Sequence, residues 1–267
     1  MCARFSEIRR VRVRIANNGN IFVYARTSTV SSATIPSQST EFFSSRFFIV
    51  KVISELINDP VSCISISPCE KNLIVGTSLG TVHGLQLSDH QKVGEKLAFT
   101  HDFHAGAPIT CIIWDELRNR LFSASKKGSV CQTTLRGGLT AYFGAAQTEL
   151  LVEEESGIVQ LEFCRAGSLE FLLVSSLHRM LVLNLDALEG NAVQIGTKSR
   201  NGMFGGCFTQ DTKDVSDISG LKVLCARPGR RIWIGNPISG KVAATLKFPN
   251  CDESSCFHGH SISEANS

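Results

Sequence analysis

No uninterrupted apolar run in the 267-residue chain reaches the ~18 residues a membrane helix needs, and the most hydrophobic segment, Leu169 to Leu185, is broken by Glu170, His178 and Arg179. A transmembrane segment is therefore not expected. Helical periods are scarce, whereas Arg10 to Val13 and Val61 to Ile66 alternate with period two as half-buried strands do, so the chain reads as all-β. Charge is sparse too: 19% of residues are charged against 43% hydrophobic, which excludes a disordered chain and fits one large packed domain. A net charge of +3 is no nucleic-acid footprint, and no nucleic-acid partner is expected. The first residues lack an apolar leader, so the ten cysteines read as reduced thiols of a cytosolic protein rather than as a disulfide framework. Arg4, Arg9, Arg10, Arg12 and Arg14 stand against one Glu7, a composition open to an arginine-rich targeting segment. The alternation of Val11, Val13 and Ile15 with arginines favours an edge strand instead.

What is present is a repeat. Val61 to Leu87 recurs as Ile109 to Leu135, 48 residues later, with no insertion or deletion. Cys63/Cys111, Ile64/Ile112, Leu73/Leu121, Gly80/Gly128, Val82/Val130 and Leu87/Leu135 coincide. Ile158 to Leu185 is a third copy. Each unit reads as an alternating strand, a turn, a Leu-Ile-Val-type strand, a Ser/Gly-rich reversal and a last strand. That is most of a four-stranded propeller blade, and the spacing lies just above the roughly 40–45 residues of WD40-type blades. Gly80 and Gly128 fall at the turn before the third strand, where a positive φ is expected. Cys63 and Cys111 are expected to fill small apolar spaces between sheets.

Around these copies the signal is weaker. Val11 to Arg26 reads as two strands joined at Asn18-Gly19, Thr27 to Ser45 as an exposed Ser/Thr-rich loop, and Phe42 to Ile53 as an aromatic strand closing that sheet. An outer strand is expected near Lys96 to Thr100. Leu135 to Glu155 reads as a link ending in a solvated acidic loop. Leu221 to Ala226, Arg231 to Ile234 and Lys241 to Phe248 read as three strands, the first two joined by a turn at Pro228-Gly229. The expectation is an incomplete WD40-like β-propeller over residues 1–249, with about three full blades and two partial ones. A polar, disordered tail is expected over residues 250–267. Such an array is expected to be a fragment or a truncated product, marginal alone or prone to associate.

Thr110 to Trp114 (TCIIW), Val159 to Leu161 with Leu173 to Leu177, Ile195 to Phe208 (IGTKSRNGMFGGCF) and Cys225 to Trp233 (CARPGRRIW) together resemble the N-terminal region of the Hermansky-Pudlak syndrome 5 protein family. A similar Ile-Gly, Gly-Cys-Phe, Arg-Pro-Gly and Arg-x-Trp series marks the related tectonin β-propeller repeat-containing protein 2 family. The first resemblance implies a scaffold subunit of the biogenesis of lysosome-related organelles complex 2. Its partners would be the other subunits, and it would be cytoplasmic and peripheral on endosomal membranes. The second implies an autophagy and secretory-pathway scaffold. The motif positions singled out as structural or interface residues are Gly202, Gly205, Cys207, Phe208, Arg227, Pro228, Gly229, Arg231 and Trp233.

Catalytic readings are weaker. Cys251, Cys256, His258 and His260 have metal-ligand chemistry, but their spacing leaves too little chain between the last two for tetrahedral geometry. Cys207 lacks a placed His and acid and reads as a buried apolar thiol. Gly202, Gly205 and Gly206 are followed by no Lys-Ser or Lys-Thr, so turn geometry fits better than a phosphate loop. Trp114-Asp115 sits on an opening strand, not on the third strand where a WD pair belongs. His101 and His104 read as exposed loop residues, Trp233 as core or, as the alternative, an interface anchor, and Arg227, Arg230 and Arg231 either as a solvated turn or as a cationic cluster for an acidic partner or anionic headgroups. No cofactor, metal or catalytic residue is assigned. The rival to a non-enzymatic scaffold is a propeller enzyme, which would need inward-facing His or carboxylates on the first strands.

Overall fold

The computed structural model describes residues 11–15, 21–31, 42–53, 57, 59–68, 72–86, 97–104, 106–136, 146–187, 192–210 and 218–249. They form five sheets whose hydrogen-bonded neighbours are consecutive in sequence. The first holds β1 (Val11–Ile15), β2 (Ile21–Ser31) and β3 (Phe42–Ile53). The second holds β4 (Val61–Ile66), β5 (Asn72–Thr77), β6 (Val82–Gln86) and β7 (Leu97–His101). The third holds β8 (Ile109–Asp115), β9 (Arg120–Ser125), β10 (Ser129–Leu135) and β11 (Ala146–Glu153). The fourth holds β12 (Ile158–Ala166), β13 (Leu169–Ser176), β14 (Met180–Asn184) and β15 (Ala192–Gln194). The fifth holds β16 (Gly206–Gln210), β17 (Leu221–Arg227), β18 (Arg231–Gly235) and β19 (Val242–Lys247). The chain divides into two compact units, Met1–Phe163 and Cys164–Ser267.

In the first unit the repeat governs the geometry. β5 and β9 are bracketed by strands on both edges and by side chains on both faces. Their apolar residues therefore run without alternation: Leu73, Ile74, Val75, Leu121 and Phe122 are all buried. Leu73 and Val75 pack with Leu85, Ile64 and Ile66 on one side of β5. Ile74 packs with Val82, Ile109, Ile112 and Leu121 on the other, joined by Cys63, Phe99 and Trp114. Each such side chain withdrawn from water contributes roughly 1.5–3 kcal/mol. Gly80 and Gly128 have φ of 87° and 106°, as the repeat register predicts. Thr77 Oγ1 accepts from the Thr81 amide at 3.1 Å across the first of these turns.

Three readings on this unit are corrected. The loop assigned to residues 27–45 is shorter, because β2 runs through Ser31 and β3 starts at Phe42; Thr27, Thr29 and Val30 are β-branched and pair with Arg46, Ser44 and Phe43. The acidic link after Leu135 contains β11, an outer strand with no fully buried residue on either face and hence little apolar alternation, and Glu154 beyond it is buried. His101 and His104 are buried rather than exposed. His104 Nδ1 lies 2.7 Å from Ser129 Oγ and its Nε2 2.9 Å from Ser123 Oγ, while His101 Nε2 meets Thr133 Oγ1 at 3.3 Å. The outer strand expected near Lys96 is β7.

In the second unit one core gathers Phe171, Leu173, Met180, Val182, Ile195, Leu221, Val223 and Cys225, with Phe208 and Trp233 packed against it. β16 supplies the strand that the sequence left unassigned ahead of Leu221, which makes the last blade four-stranded. Its register places Cys207 opposite Leu224 and Phe208 opposite Val223. Successive residues point to opposite faces, so Phe208 faces the core and Cys207 is exposed, not buried as expected. Residues 250–267, and with them Cys251, Cys256, His258 and His260, lie outside the described residues.

Candidate functional site

The family-like segments, distant in sequence, meet in the second unit. β17 ends at Arg227, Pro228-Gly229 turns the chain, and β18 begins at Arg231. Gly229 has φ 75° and Arg230, a non-glycine, has φ 56°, so two successive residues adopt the left-handed conformation. The register Cys225↔Trp233 and Trp233↔Thr245 sets the indole in the middle of the sheet, half-buried. Arg227 lies across the indole with its guanidinium carbon 3.9 Å from the ring centroid. Its Nη1 and Nη2 donate to the carbonyls of Lys198 and Ser199 at 2.9 and 2.8 Å. A cation seated on tryptophan and held by two carbonyls is preorganised. Partial burial holds its pKa below the ordinary arginine value.

Around this pair the surface dips into a depression of about 460 Å³. Arg227, Pro228, Gly229 and Arg231 form one side, and Trp233, Lys198 and Thr245 complete it. Five of the nine positions singled out from the sequence thus line one concavity. The other four do different work. Gly202 has φ 139° in the loop ahead of β16, the Gly205 carbonyl accepts from the Ala226 amide at 3.0 Å, Phe208 contacts Phe171 in the core, and Cys207 is exposed on β16. Trp233 serves the core and the concavity alike, and Gly196 lets it do so: a Cβ there would run into the ring.

Sequence reasoning passed over Arg200, which is 4% exposed. Its guanidinium donates to Ser175 Oγ at 2.5 Å and to the carbonyls of Ala226, Ser176 and Arg179 at 2.9, 3.1 and 3.3 Å. Desolvation lowers its pKa to about 10. The available signal was phase in the repeat, because His104, Glu154 and Arg200 each stand a few residues ahead of the first strand of a blade and each is buried.

Hydrolytic chemistry finds no support in the His104–serine contacts. Both ring nitrogens are engaged by hydroxyls, and burial pushes the imidazole down to about 4, too weak a base for neutral pH. Burial raises the thiols of Cys111 to about 11 and of Cys225 to about 12, opposite to the shift a nucleophile needs. Among the described residues no three His, Cys, Asp or Glu come together to hold a metal. No helix among them is long and apolar enough to cross a membrane.

These features define the class: an all-β, WD40-like propeller, incomplete, whose described residues form one three-stranded and four four-stranded sheets. Sqt1 of Chaetomium thermophilum, solved bound to the N-terminus of the ribosomal protein L10, aligns with a TM-score of 0.61 at 15% identity, over 89% of this chain and 59% of that one. A chain of the mitotic checkpoint complex aligns at a TM-score of 0.52 and 12% identity, over 88% of this chain and 64% of that one. At such identities the likeness shows the fold alone.

No family model matches the chain. Among curated proteins it is similar to human tectonin beta-propeller repeat-containing protein 2, 31% identical over 194 residues, covering 70% of this chain and 13% of the relative. It is also similar to the human BLOC-2 complex member HPS5, 29% identical over 178 residues, 65% of this chain and 15% of the relative. The Drosophila melanogaster HPS5 homolog is 28% identical over 70% of this chain and 22% of its own length. The chain thus resembles both groups that its motifs pointed to, and spans less than a quarter of the length of each of these relatives.

Proposed function

We propose that this chain is the propeller part of a non-enzymatic scaffold that joins other subunits in a complex of the BLOC-2 type and acts in traffic from endosomes to lysosome-related organelles. The observation that carries the proposal is the similarity to three or more BLOC-2 complex members across most of the chain. It resides in the cytoplasm and reaches endosomal membranes through its partners. The concavity of the second unit, with cations and an aromatic side chain but no acid or nucleophile, supports binding over turnover. A second reading, a scaffold of the tectonin-repeat type in autophagy and secretion, is supported by the 31% identity to that relative. Affinity purification of the tagged chain from cells separates the two. Recovery of complex subunits supports the first, recovery of autophagy proteins alone supports the second, and recovery of neither refutes both.

A further inference from the structure

We infer that the concavity formed by Lys198, Arg227, Arg231, Trp233 and Pro228 is a binding site for an acidic peptide segment of a partner protein. The inference rests on the scaffold reading and adds the chemistry of what is bound.

Three cations converge on one depression of about 460 Å³, and none of the residues lining it is acidic. The like charges repel one another, and among the described residues no carboxylate pairs with Lys198, Arg227 or Arg231. An incoming anion relieves that repulsion, which sets the sign of the ligand. Arg227 is held in place by the two carbonyls and the indole, so its remaining N–H groups are presented at no further entropic cost. Arg231 folds toward the turn, where a Cβ on Gly229 would lie 3.6 Å from its Nε. The two guanidiniums therefore flank the Pro228-Gly229 turn, and the exposed Lys198 adds a third charge.

The walls discriminate among anions. The cations line a hollow instead of crowning a convex surface, so the ligand must project groups into it, as the side chains of a peptide do. Trp233 and Pro228 give the hollow an apolar part suited to an aliphatic side chain between acidic neighbours. Carboxylates suit the planar forks of Arg227 and Arg231.

The test uses the full purified chain and a fluorescein-labelled Glu-Glu-Leu-Glu-Glu peptide, read by fluorescence anisotropy. Its Gln-Gln-Leu-Gln-Gln counterpart and vesicles of phosphatidylserine and phosphatidylcholine serve as comparisons. The acidic peptide is expected to bind and the Gln peptide not. Affinity is expected to fall at least about tenfold when salt rises from low ionic strength to physiological levels. Lys198→Glu with Arg231→Glu is expected to weaken binding by about tenfold or more with an unchanged melting temperature. Thr245→Glu, on an exposed lining position, provides an internal carboxylate and is expected to compete the peptide away even if the double variant misfolds. Equal binding by parent and folded variants overturns the proposal, as does binding to the anionic vesicles alone or to no probe. If complex subunits are recovered from cells while the peptide is not bound, the pocket falls and the scaffold reading stands. If the peptide is bound in the predicted way while no subunit is recovered, the pocket stands and the scaffold reading falls.

Discussion

Replacing Gly128 with alanine tests the register on which the blades are built. Two costs combine there. The φ of 106° places any L-residue in a conformation disfavoured by roughly 1–2 kcal/mol. In addition, the new Cβ would overlap the Glu154 carbonyl and press on the Ser156 carbonyl, both backbone atoms that no rotamer change can move. Gly106 separates the two terms, since its φ is 75° but its nearest neighbour to a new Cβ is Lys127 Nζ at 3.7 Å. Gly106→Ala should therefore show the conformational term alone, a loss of roughly 2–8 °C in melting temperature. Gly128→Ala adds displacement of the 154–156 backbone, which the Glu154 amide holds against the Gly128 carbonyl at 3.0 Å. Its loss should exceed that of Gly106→Ala by at least about 2 kcal/mol, on the scale of overpacking a close-packed interior. Gly80→Ala, which would meet the His104 carbonyl, should behave like Gly128→Ala. Calorimetry of the variants side by side decides the matter. Equal melting of the Gly106 and Gly128 variants would refute the close approach, and with it the equivalence of the two turns.

Other outcomes can be measured on the same protein. Burial lowers His101 and His104 from 6.5 to about 4, so the unfolded chain binds protons the folded one refuses; their stabilisation is complete above pH 6.5 and is lost as pH falls toward 4. The unfolding free energy from urea titrations should drop over that window, by on the order of 3 kcal/mol per histidine, and His104→Gln should flatten the slope. Arg120 is tied to Asp115 at 2.8 Å and lies over the Phe122 ring, so Asp115→Ala should cost about 3–5 kcal/mol by leaving a buried cation, most of it recovered on adding Arg120→Met. Elemental analysis should find no stoichiometric zinc. One zinc per chain, lost with Cys251→Ser and Cys256→Ser, would overturn that expectation.

The blades were legible because two physical periods coincide: alternation within a strand and recurrence of the strand set. Where a strand is partly exposed on both faces the first period fades, and β11 and β15, neither of which has a fully buried residue, left little trace for that reason. The buried polar residues were illegible for a different reason. Histidine, glutamate and arginine in loops are usually solvated, and burial is tolerable here because two serine hydroxyls face His104 and one serine hydroxyl with three carbonyls faces Arg200. Cys207 was misjudged because a Gly-Gly-Cys-Phe string does not reveal which of two adjacent residues faces the core. The pairing Phe208↔Val223 decides it. The Arg-Pro-Gly turn was visible as a motif, but its use as the wall of a concavity depended on Lys198 and Thr245, which arrive from other strands and loops and carry no local signal.

Arg200 gives the strongest test of how the second unit holds together. A guanidinium 4% exposed would ordinarily have a carboxylate beside it, yet its hydrogen-bonding partners are one hydroxyl and three carbonyls. The arrangement works because one planar group spans acceptors from β13, the turn after it and β17, and Ser175 in turn donates to the Phe204 carbonyl at 2.5 Å. Three of the four bonds leave Nη2 and the fourth, to the Ala226 carbonyl, leaves Nη1, so a lysine with its donors on a single nitrogen cannot serve both ends of the fork. Arg200→Lys should therefore retain the charge, lose the bond to the Ala226 carbonyl and cost about 1–3 kcal/mol, since a less satisfied cation remains buried. Arg200→Met removes the charge and strands the carbonyls, each costing about 1–3 kcal/mol if water cannot enter. Denaturant titrations of the two variants should place lysine between wild type and methionine in stability. Lysine close to wild type would mean that charge alone, and not the fork, holds the loop ahead of β16, and that the closure of the last blade does not depend on Arg200 geometry.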